Sequence, residues 1–443
     1  MIPRPQKADL ANFAPDDPKP PLYGLPSEIR YCKRCIISNQ RPASTIEFSH
    51  TKDTKKTPME FDEDGICDAC RVADHKTEID WDERDRELRD LCDRFRRTDG
   101  RYDCIVPGSG GKDSFFVAHK LKYVYGMHPL TVTWAPHIYT EWGWRNFERW
   151  IHAGFDNNLF TPNGRVHRLV TRLATDQLFH PFQPFILGQK NLAPKMSALY
   201  DVPLVFFGEN EAEYGNPKGD MASAQRDWSY FTSSDKSKVF LGGTSVADLT
   251  TEFGLDPVDL EPYMPADPEL MQKAQTEVHY FGYYMKWHPQ ASYYYAVEHG
   301  GFEACPERNP GTYSKYASID DRIDDLFWYS YYIKFGIGRA SHDAGQEVRS
   351  GDIERDEGVA LVRRFDGEFP TRFEQELLDY LSIPEEQFPV ASKMFEQPIL
   401  DRDYFTDLTD SFRSPHLWKH ENGTWALRES VWNEKWAGTQ PKV

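Results

Sequence analysis

One stretch of the chain has the residue types that bind phosphate, namely Pro107-Gly108-Ser109-Gly110-Gly111-Lys112-Asp113-Ser114. The apolar residues 104–106 precede it, and apolar side chains recur at helical spacing over residues 115–124, so we predict a strand, a glycine-rich turn and a helix. The backbone N–H groups of such a turn and the positive end of the helix dipole both favour an anion. The stretch therefore predicts a binding loop for a phosphorylated ligand.

The spacing within this loop excludes two common phosphate loops. A Walker A loop requires glycine where Val106 stands and a hydroxyl group where Asp113 stands. A dinucleotide-binding fingerprint that began at Gly108 and Gly110 would require a third glycine at Asp113. The loop instead resembles that of the ATP pyrophosphatases, or PP-loop enzymes, which transfer AMP to a substrate oxygen and release pyrophosphate. A surface turn rich in glycine and serine is the alternative.

Four of the seven cysteines form two pairs with Cys-x-x-Cys spacing. They are Cys32, Cys35, Cys67 and Cys70. Two such pairs are typical of a closed four-sulfur zinc site that stabilises a fold. A redox pair is the alternative, but neither pair lies in a thioredoxin-like βαβ pattern. We therefore predict structural zinc, and we expect the other three cysteines to be small packing residues.

Length and charge restrict the class of protein. A chain of 443 residues is long enough for about two or three domains. With 52 basic and 70 acidic residues the formal net charge is −18, which argues against a broad nucleic-acid surface. No signal peptide or membrane-spanning run is evident. We expect a cytoplasmic protein with no membrane or nucleic-acid partner. The sequence leaves the formation of homo-oligomers undecided.

The hydrophobic pattern predicts an α/β fold with a parallel sheet. Strands are expected at 103–107, 129–135 and 202–207, and helices near 113–125, 142–153, 165–179 and 189–200. Ligands of such sheets bind beyond the carboxyl ends of the strands. That edge would collect the phosphate loop, residues 137–141 and residues 208–211.

Composition divides the chain into segments. They are a proline-rich extended arm at 1–27, a zinc-binding module at 28–72, an α/β core at 73–215, an insertion or substrate region at 216–310, a helical continuation that completes the site at 311–385, and a C-terminal region at 386–443. A helix is predicted from about 319 to 336. Its start contains Asp320, Asp321, Asp324 and Asp325, and carboxylates there commonly favour the helix dipole.

Taken together, the motifs resemble those of the N-acetyl sugar amidotransferases of bacterial surface-polysaccharide and nonulosonic acid biosynthesis. The motifs are the two cysteine pairs, the phosphate loop, and residues 133–137, 154–157, 208–210, 311–316 and 334–339. The resemblance implies an adenine-nucleotide α-hydrolase-like (PP-loop ATP pyrophosphatase) domain with an N-terminal zinc ribbon and a helical C-terminal region. The proline-rich arm and the long segment between the cysteine pairs depart from the family pattern.

The resemblance also implies an activity. The family converts an acetamido group of a sugar or nucleotide-sugar into an acetamidino group through an adenylylated intermediate, in the synthesis of lipopolysaccharide O-antigen, capsule or flagellin glycan. It uses ATP, Mg²⁺ and ammonia from a separate glutaminase subunit. No cysteine of this chain lies in a Gly-x-Cys-x-Gly elbow, so we expect the nitrogen to come from free ammonia or from that partner.

Site residues are predicted from the loop chemistry and the resemblance. Residues expected to bind ATP are Pro107, Gly108, Ser109, Gly110, Gly111, Lys112, Asp113, Ser114, Gly208, Glu209 and Asn210, with Asp113 also holding Mg²⁺. Residues expected to act in catalysis are Lys112, Asp113, Lys315, Glu141 and Glu209. Residues expected to contact the sugar are His137, Tyr139, Glu141, Trp142 and Tyr313.

Two other functions are compatible with the motifs. A tRNA-modifying PP-loop ATPase of the thiolation or lysidine type would need a basic RNA-binding face, and for thiolation a further cysteine or cluster beside the loop. The charge of −18 weighs against that alternative. A scaffold that senses a nucleotide without cleaving it is the non-enzymatic alternative.

Overall fold

A computed structural model of the chain describes residues 4–44, 48–208, 211–216, 223–382, 398–433 and 435–436. Strands β1 to β10 span, in chain order, Cys104–Pro107, Pro129–Trp134, Asn157–Phe160, Leu204–Phe207, Gln225–Arg226, Phe240–Leu241, Thr244–Ser245, Glu277–Tyr280, Trp418–Glu421 and Thr424–Leu427. Helices α1 to α16 span, in chain order, Asp68–Glu78, Trp81–Phe95, Lys112–Tyr123, Glu141–His152, Gly164–Leu178, Gln183–Tyr200, Val246–Thr251, Pro257–Leu260, Pro268–Ala274, Phe281–Tyr284, Pro289–Gly300, Asp324–Phe335, Arg339–Ser350, Arg355–Phe365, Glu374–Ser382 and Arg402–Ser411.

The centre of the molecule is a mixed α/β arrangement around a mostly parallel sheet. Its strand order is β3-β2-β1-β4-β8-β5, and every pair is parallel except β5 with β8. Ile105 of β1 lies opposite Leu130 of β2 and Val205 of β4. The predicted α/β class, the mostly parallel sheet and the helical C-terminal region are confirmed at this level of detail.

Strand β1 is buried because apolar layers cover both faces of the sheet. Ile105 packs into the layer that contains α5 and α6, whereas Cys104 and Val106 pack into the layer that contains α3. Alternating side chains of one strand point to opposite faces, so three consecutive apolar residues are needed at this position. Strand β1 ends at Pro107, where the phosphate loop begins.

Three strands of the sheet were not predicted, namely β3, β8 and the two-residue β5. Strand β3 contains two asparagines and lies at an edge of the sheet, so it lacks the apolar run of a central strand. Strand β8 lies within residues 216–310, the segment interpreted as an insertion, and it pairs with β4. Since β8 extends the sheet beyond β4, part of this segment belongs to the central sheet.

The ends of the described chain pack on each other. The Tyr23 hydroxyl donates to the carbonyl of Phe412 at 2.8 Å, and the backbone N–H of Leu22 donates to Ser414 Oγ at 2.9 Å. The proline-rich arm therefore lies on the C-terminal region of its own chain. Among the helices that the structure describes, none combines the length and the apolar character needed to span a bilayer.

Candidate functional site

The loop after β1 needs two of its glycines for steric reasons. Gly110 has a φ of +84°, and a Cβ atom there would lie 2.7 Å from the Cα atom of Phe147. A Cβ atom on Gly108 would lie 2.1 Å from the Cβ of Ser114. Gly111 is the N-cap residue of α3 and has no side chain that could cap it. The first turn of α3 therefore has no side-chain cap. A bound anion could cap it instead, by accepting hydrogen bonds from its backbone N–H groups.

This loop lines a cavity of about 710 Å³, a size typical of small-molecule sites. The predicted residues that line it are Pro107, Gly108, Ser109, Gly111, Lys112, Asp113, Ser114 and Gly208. The facing wall is formed by α12 and α13, through side chains that include Asp324, Trp328, Tyr331, Arg339 and His342. The cavity therefore lies between the carboxyl edge of the sheet and the helical C-terminal region.

Carboxylates concentrate in the cavity beside the loop. Asp320 accepts a hydrogen bond from Ser109, and burial raises the pKa of Asp320. Burial, together with the neighbouring Asp320 and Asp321, raises the pKa of Asp324 well above its ordinary value. Both shifts have the same cause, since negative charges here are poorly hydrated and close together.

The sequence interpretation missed this role of the aspartates. Helix α12 begins at Asp324, so Asp320 and Asp321 lie before it rather than in its first turn. Asp325, which is in that turn, forms an ion pair with Arg372 at 2.9 Å and does not line the cavity. The sequence signal that could have indicated this role was the density of aspartates shortly after residues 311–316.

The loop and these aspartates could hold a divalent cation. The carboxylate oxygens of Asp113 lie 2.7 and 2.6 Å from Lys112 Nζ, which is buried. Among the described residues, only four cysteines form a group whose ligand atoms all lie within 4.8 Å of one another. Asp113, Asp320 and Asp324 are therefore too widely spaced for an all-protein cage, and they suit a cation that keeps water or phosphate oxygens, as Mg²⁺ does.

His137 and Tyr139 line a second cavity, of about 570 Å³. His137 is joined to the first cavity through Asp321, whose Oδ2 lies 2.7 Å from His137 Nδ1. Asp321 also accepts the backbone N–H of His137 at 2.7 Å. In this position His137 fixes the orientation of Asp321, which lines the cavity beside the loop.

Gly110 of the loop is buried against α4 and does not itself line the first cavity. Four predicted residues outside the loop do not line it either. Glu141 is exposed and pairs with Arg145, and Trp142 packs against the apolar layer that contains α3. The Tyr313 hydroxyl donates to Glu347 Oε2 at 2.7 Å, and the exposed Lys315 donates to the carbonyl of Pro306 at 2.7 Å. The structure does not bring these four together with the loop, and their proposed roles stay predictions. Glu209 and Asn210 lie outside the described residues.

The four cysteines of the two pairs come together in the N-terminal module. All four are fully buried, with Cys32 and Cys70 Sγ atoms 3.8 Å apart and those of Cys35 and Cys67 3.6 Å apart. None of them forms a disulfide. Four buried thiols at this spacing fit a tetrahedral zinc ion with no open coordination position. The cluster could therefore bind a metal such as zinc, in a structural role.

Comparison with known proteins relates part of the chain to a known family. A family model described as "LPS biosynthesis protein WbpG-like, C-terminal domain" matches residues 310–431. The match points to lipopolysaccharide biosynthesis. The matched residues include α12 and α13, which form the cavity wall that faces the phosphate loop. No curated protein matches the chain.

Proposed function

We propose that the protein is an ATP-dependent amidotransferase that converts an acetamido group of a sugar or nucleotide-sugar into an acetamidino group in lipopolysaccharide biosynthesis. One observation carries the proposal. The Ser-Gly-Gly-Lys-Asp-Ser loop and the WbpG-like C-terminal region line the same cavity. A loop that suits pyrophosphate thus faces the region that relates the chain to lipopolysaccharide synthesis.

The proposed chemistry solves a leaving-group problem. An amide carbon is a poor electrophile because its oxygen leaves with difficulty. Attack of the acetamido oxygen on the α-phosphorus of ATP forms an O-adenylyl imidate and releases pyrophosphate. Ammonia then adds to the imidate carbon, and AMP departs with the former amide oxygen. The products are the acetamidine, AMP and pyrophosphate, with nitrogen in place of that oxygen.

The loop residues have direct roles in the first step. Backbone N–H groups of Gly110 and Gly111 and the N-terminus of α3 hold the β and γ phosphates, while Lys112 adds positive charge. Asp113, Asp320 and Asp324 would hold Mg²⁺, which would supply positive charge to the departing pyrophosphate. The raised pKa values of Asp320 and Asp324 support this role, because a cation would relieve their mutual repulsion.

The test is a product analysis of the zinc-loaded protein incubated with ATP, Mg²⁺, ammonium and individual UDP-N-acetyl sugars. We expect AMP and pyrophosphate only when a sugar is present, and a sugar product in which one oxygen is replaced by NH. Formation of ADP would contradict the proposal. AMP release that depends on tRNA would favour the tRNA-modifying alternative, and binding of ATP without turnover would favour the sensor.

A further inference from the structure

Arg41 is a buried cation on the wall of the phosphate-loop cavity. It belongs to the zinc-binding module, and it lines the cavity together with Pro42, Ala43 and Ser44. Only 4% of its surface is exposed. Its Nη1 donates to the carbonyl of Pro42 at 3.2 Å, whereas its buried Nε has no hydrogen-bond partner. The module thus contributes a charged group to the cavity as well as a metal site.

No carboxylate among the described residues pairs with Arg41. Two other arginines contact the nearby cysteine cluster. Arg349 Nη1 lies 3.9 Å from Cys35 Sγ, and Arg355 donates to the backbone carbonyls of Cys35 and Cys32 at 3.0 and 3.4 Å. Arg41 makes none of these contacts, although the Cys67 thiol is close enough to interact with its charge. A buried guanidinium without an anion is costly and indicates a missing partner.

Arg349 adds positive charge close to Arg41. Burial, with the charges of Arg41, Arg339 and Arg349, lowers the pKa of His342 to about 3. Both His342 and Arg339 line the same cavity. Arg339 pairs with Asp343, which also lines the cavity, at 2.9 Å. Of the two arginines that line the cavity among the described residues, Arg41 is therefore the one without a carboxylate partner.

We propose that Arg41 binds an anionic group, a phosphate or a carboxylate, of the second substrate that enters this cavity beside the ligand of the phosphate loop. This inference rests on the proposed function only in requiring a second substrate. Guanidinium donors match either anion through paired N–H groups. The zinc-binding module then acts directly in substrate recognition, and a neutral free sugar would lack the contact that Arg41 offers.

The test is calorimetric titration of the full-length, zinc-loaded protein, with and without Mg²⁺ and an ATP analogue that resists cleavage between its α and β phosphates. The probes are UDP-N-acetylglucosamine for phosphate, glucuronate for carboxylate and N-acetylglucosamine as the neutral control. The variants are Arg41→Gln, Arg41→Lys and a matched control in the same module, Arg34→Gln. Arg34 is partly exposed and pairs with Asp74 away from the cavity.

We expect at least one anionic probe to bind the unaltered protein and Arg34→Gln equally. Its dissociation constant should rise by about 10-fold to 100-fold in Arg41→Gln, as expected for loss of a charged hydrogen bond, with partial recovery in Arg41→Lys. Whichever probe responds identifies phosphate or carboxylate as the group bound. Binding of the neutral sugar should not change.

Three results would overturn the proposal. They are equal binding of both anionic probes by Arg41→Gln and the unaltered protein, no binding of either anionic probe at millimolar concentration, and loss of zinc in Arg41→Gln with equal weakening of all probes. The last result would make Arg41 structural. Because the assay measures binding, absence of amidine formation would count against the proposed function and leave the Arg41 result intact.

Discussion

Individual residues of the cavity carry charges that the protein alone leaves unbalanced. Asp320 accepts a hydrogen bond from Ser109, and Asp324 has Asp320, Asp321 and Asp325 as negative neighbours. The pKa values of Asp320 and Asp324 are raised mainly by burial. A site that destabilises its own charges in this way is suited to a cationic ligand, and functional sites are where such shifts concentrate.

Binding of Mg²⁺ should therefore strengthen as the pH rises. The folded-state pKa of Asp324 is raised, so the stability it contributes is present at low pH and is lost as the pH rises through that pKa. The proposed Mg²⁺ would bind the ionised form and so reverse the loss. We expect Mg²⁺ to raise the melting temperature more at about pH 8 than at about pH 5. Asp324→Asn should remove most of this difference, and an equal Mg²⁺ effect at all pH values would contradict the assignment.

Replacement of Asp113 by asparagine should abolish pyrophosphate release without unfolding the protein. Asp113 is only partly buried, and its one described ion pair is with the adjacent Lys112. The substitution keeps the shape and removes the charge that would hold Mg²⁺. Pyrophosphate formation and the thermal melt measure the two effects separately. Unchanged turnover would remove Asp113 from the mechanism.

The tight turn at Gly110 should also be sensitive to substitution. Gly110→Ala must place a Cβ atom 2.7 Å from the backbone of α4, in addition to adopting a left-handed φ of +84°. We expect loss of nucleotide binding, measured by titration with ATP. Gly301→Ala is the matched control, because Gly301 has a φ of +64° and nothing within 4 Å of the added Cβ. Equal effects of the two changes would show that close packing of the loop is unimportant.

At the scale of secondary structure, α13 joins the cysteine cluster to the cavity. Arg339 and Asp343, in the first half of the helix, line the cavity. Arg349, in the last turn, approaches Cys35. Helix α14 adds the hydrogen bonds of Arg355 to the backbone of the cysteine pair. A metal that orders the cysteines would therefore also hold one wall of the cavity.

Metal analysis should find about one zinc ion per chain, as four thiolate ligands require. Removal of zinc by a chelator, or Cys35→Ser, should lower the melting temperature, because four buried thiols would lose their shared ligand. Exchange of the buried but unclustered Cys92 for serine is the control and should leave the zinc content unchanged. A fully folded, metal-free preparation of the unaltered protein would refute the zinc assignment.

At the scale of the whole molecule, the N-terminal arm and the C-terminal region stabilise each other. The ring of Phe13 is 5% exposed and packs edge-on against Trp425, with centroids 4.8 Å apart. Arg428 donates to the backbone carbonyls of Ala14 and Pro15 at 2.8 Å. The arm therefore covers the hairpin of β9 and β10, which lies within the region matched by the WbpG-like model.

Truncation of Phe13 should show the contribution of this contact. We expect Phe13→Ala to destabilise the protein by about 3 kcal/mol, the usual effect of removing a buried aromatic ring. Leu10 lies in the same helical turn but is 48% exposed, so Leu10→Ala should change stability by less than about 0.5 kcal/mol. Denaturant unfolding measures both. Similar values for the two variants would mean that the arm does not hold the C-terminal region.

Features encoded by contiguous residues could be predicted from the sequence. The phosphate loop and the cysteine pairs each depend on a few neighbouring residue types, so their chemistry is visible without a fold. The strands with continuous apolar runs, β1, β2 and β4, were expected for the same reason. The alternation of strands and helices then identified the edge of the sheet at which the loop would lie.

Features assembled from distant residues required the tertiary structure. Arg41 and Asp324 line the same cavity as the loop although many residues separate them along the chain, and no local pattern distinguishes them from exposed charges. Strand β8 joins the sheet through pairing with β4, which depends on long-range contacts rather than on its own periodicity. The spacing of residues along the sequence thus determined which side chains could take part in chemistry. Tertiary packing decided which of these side chains meet, because burial and charge pairing depend on neighbours that only the folded chain brings together.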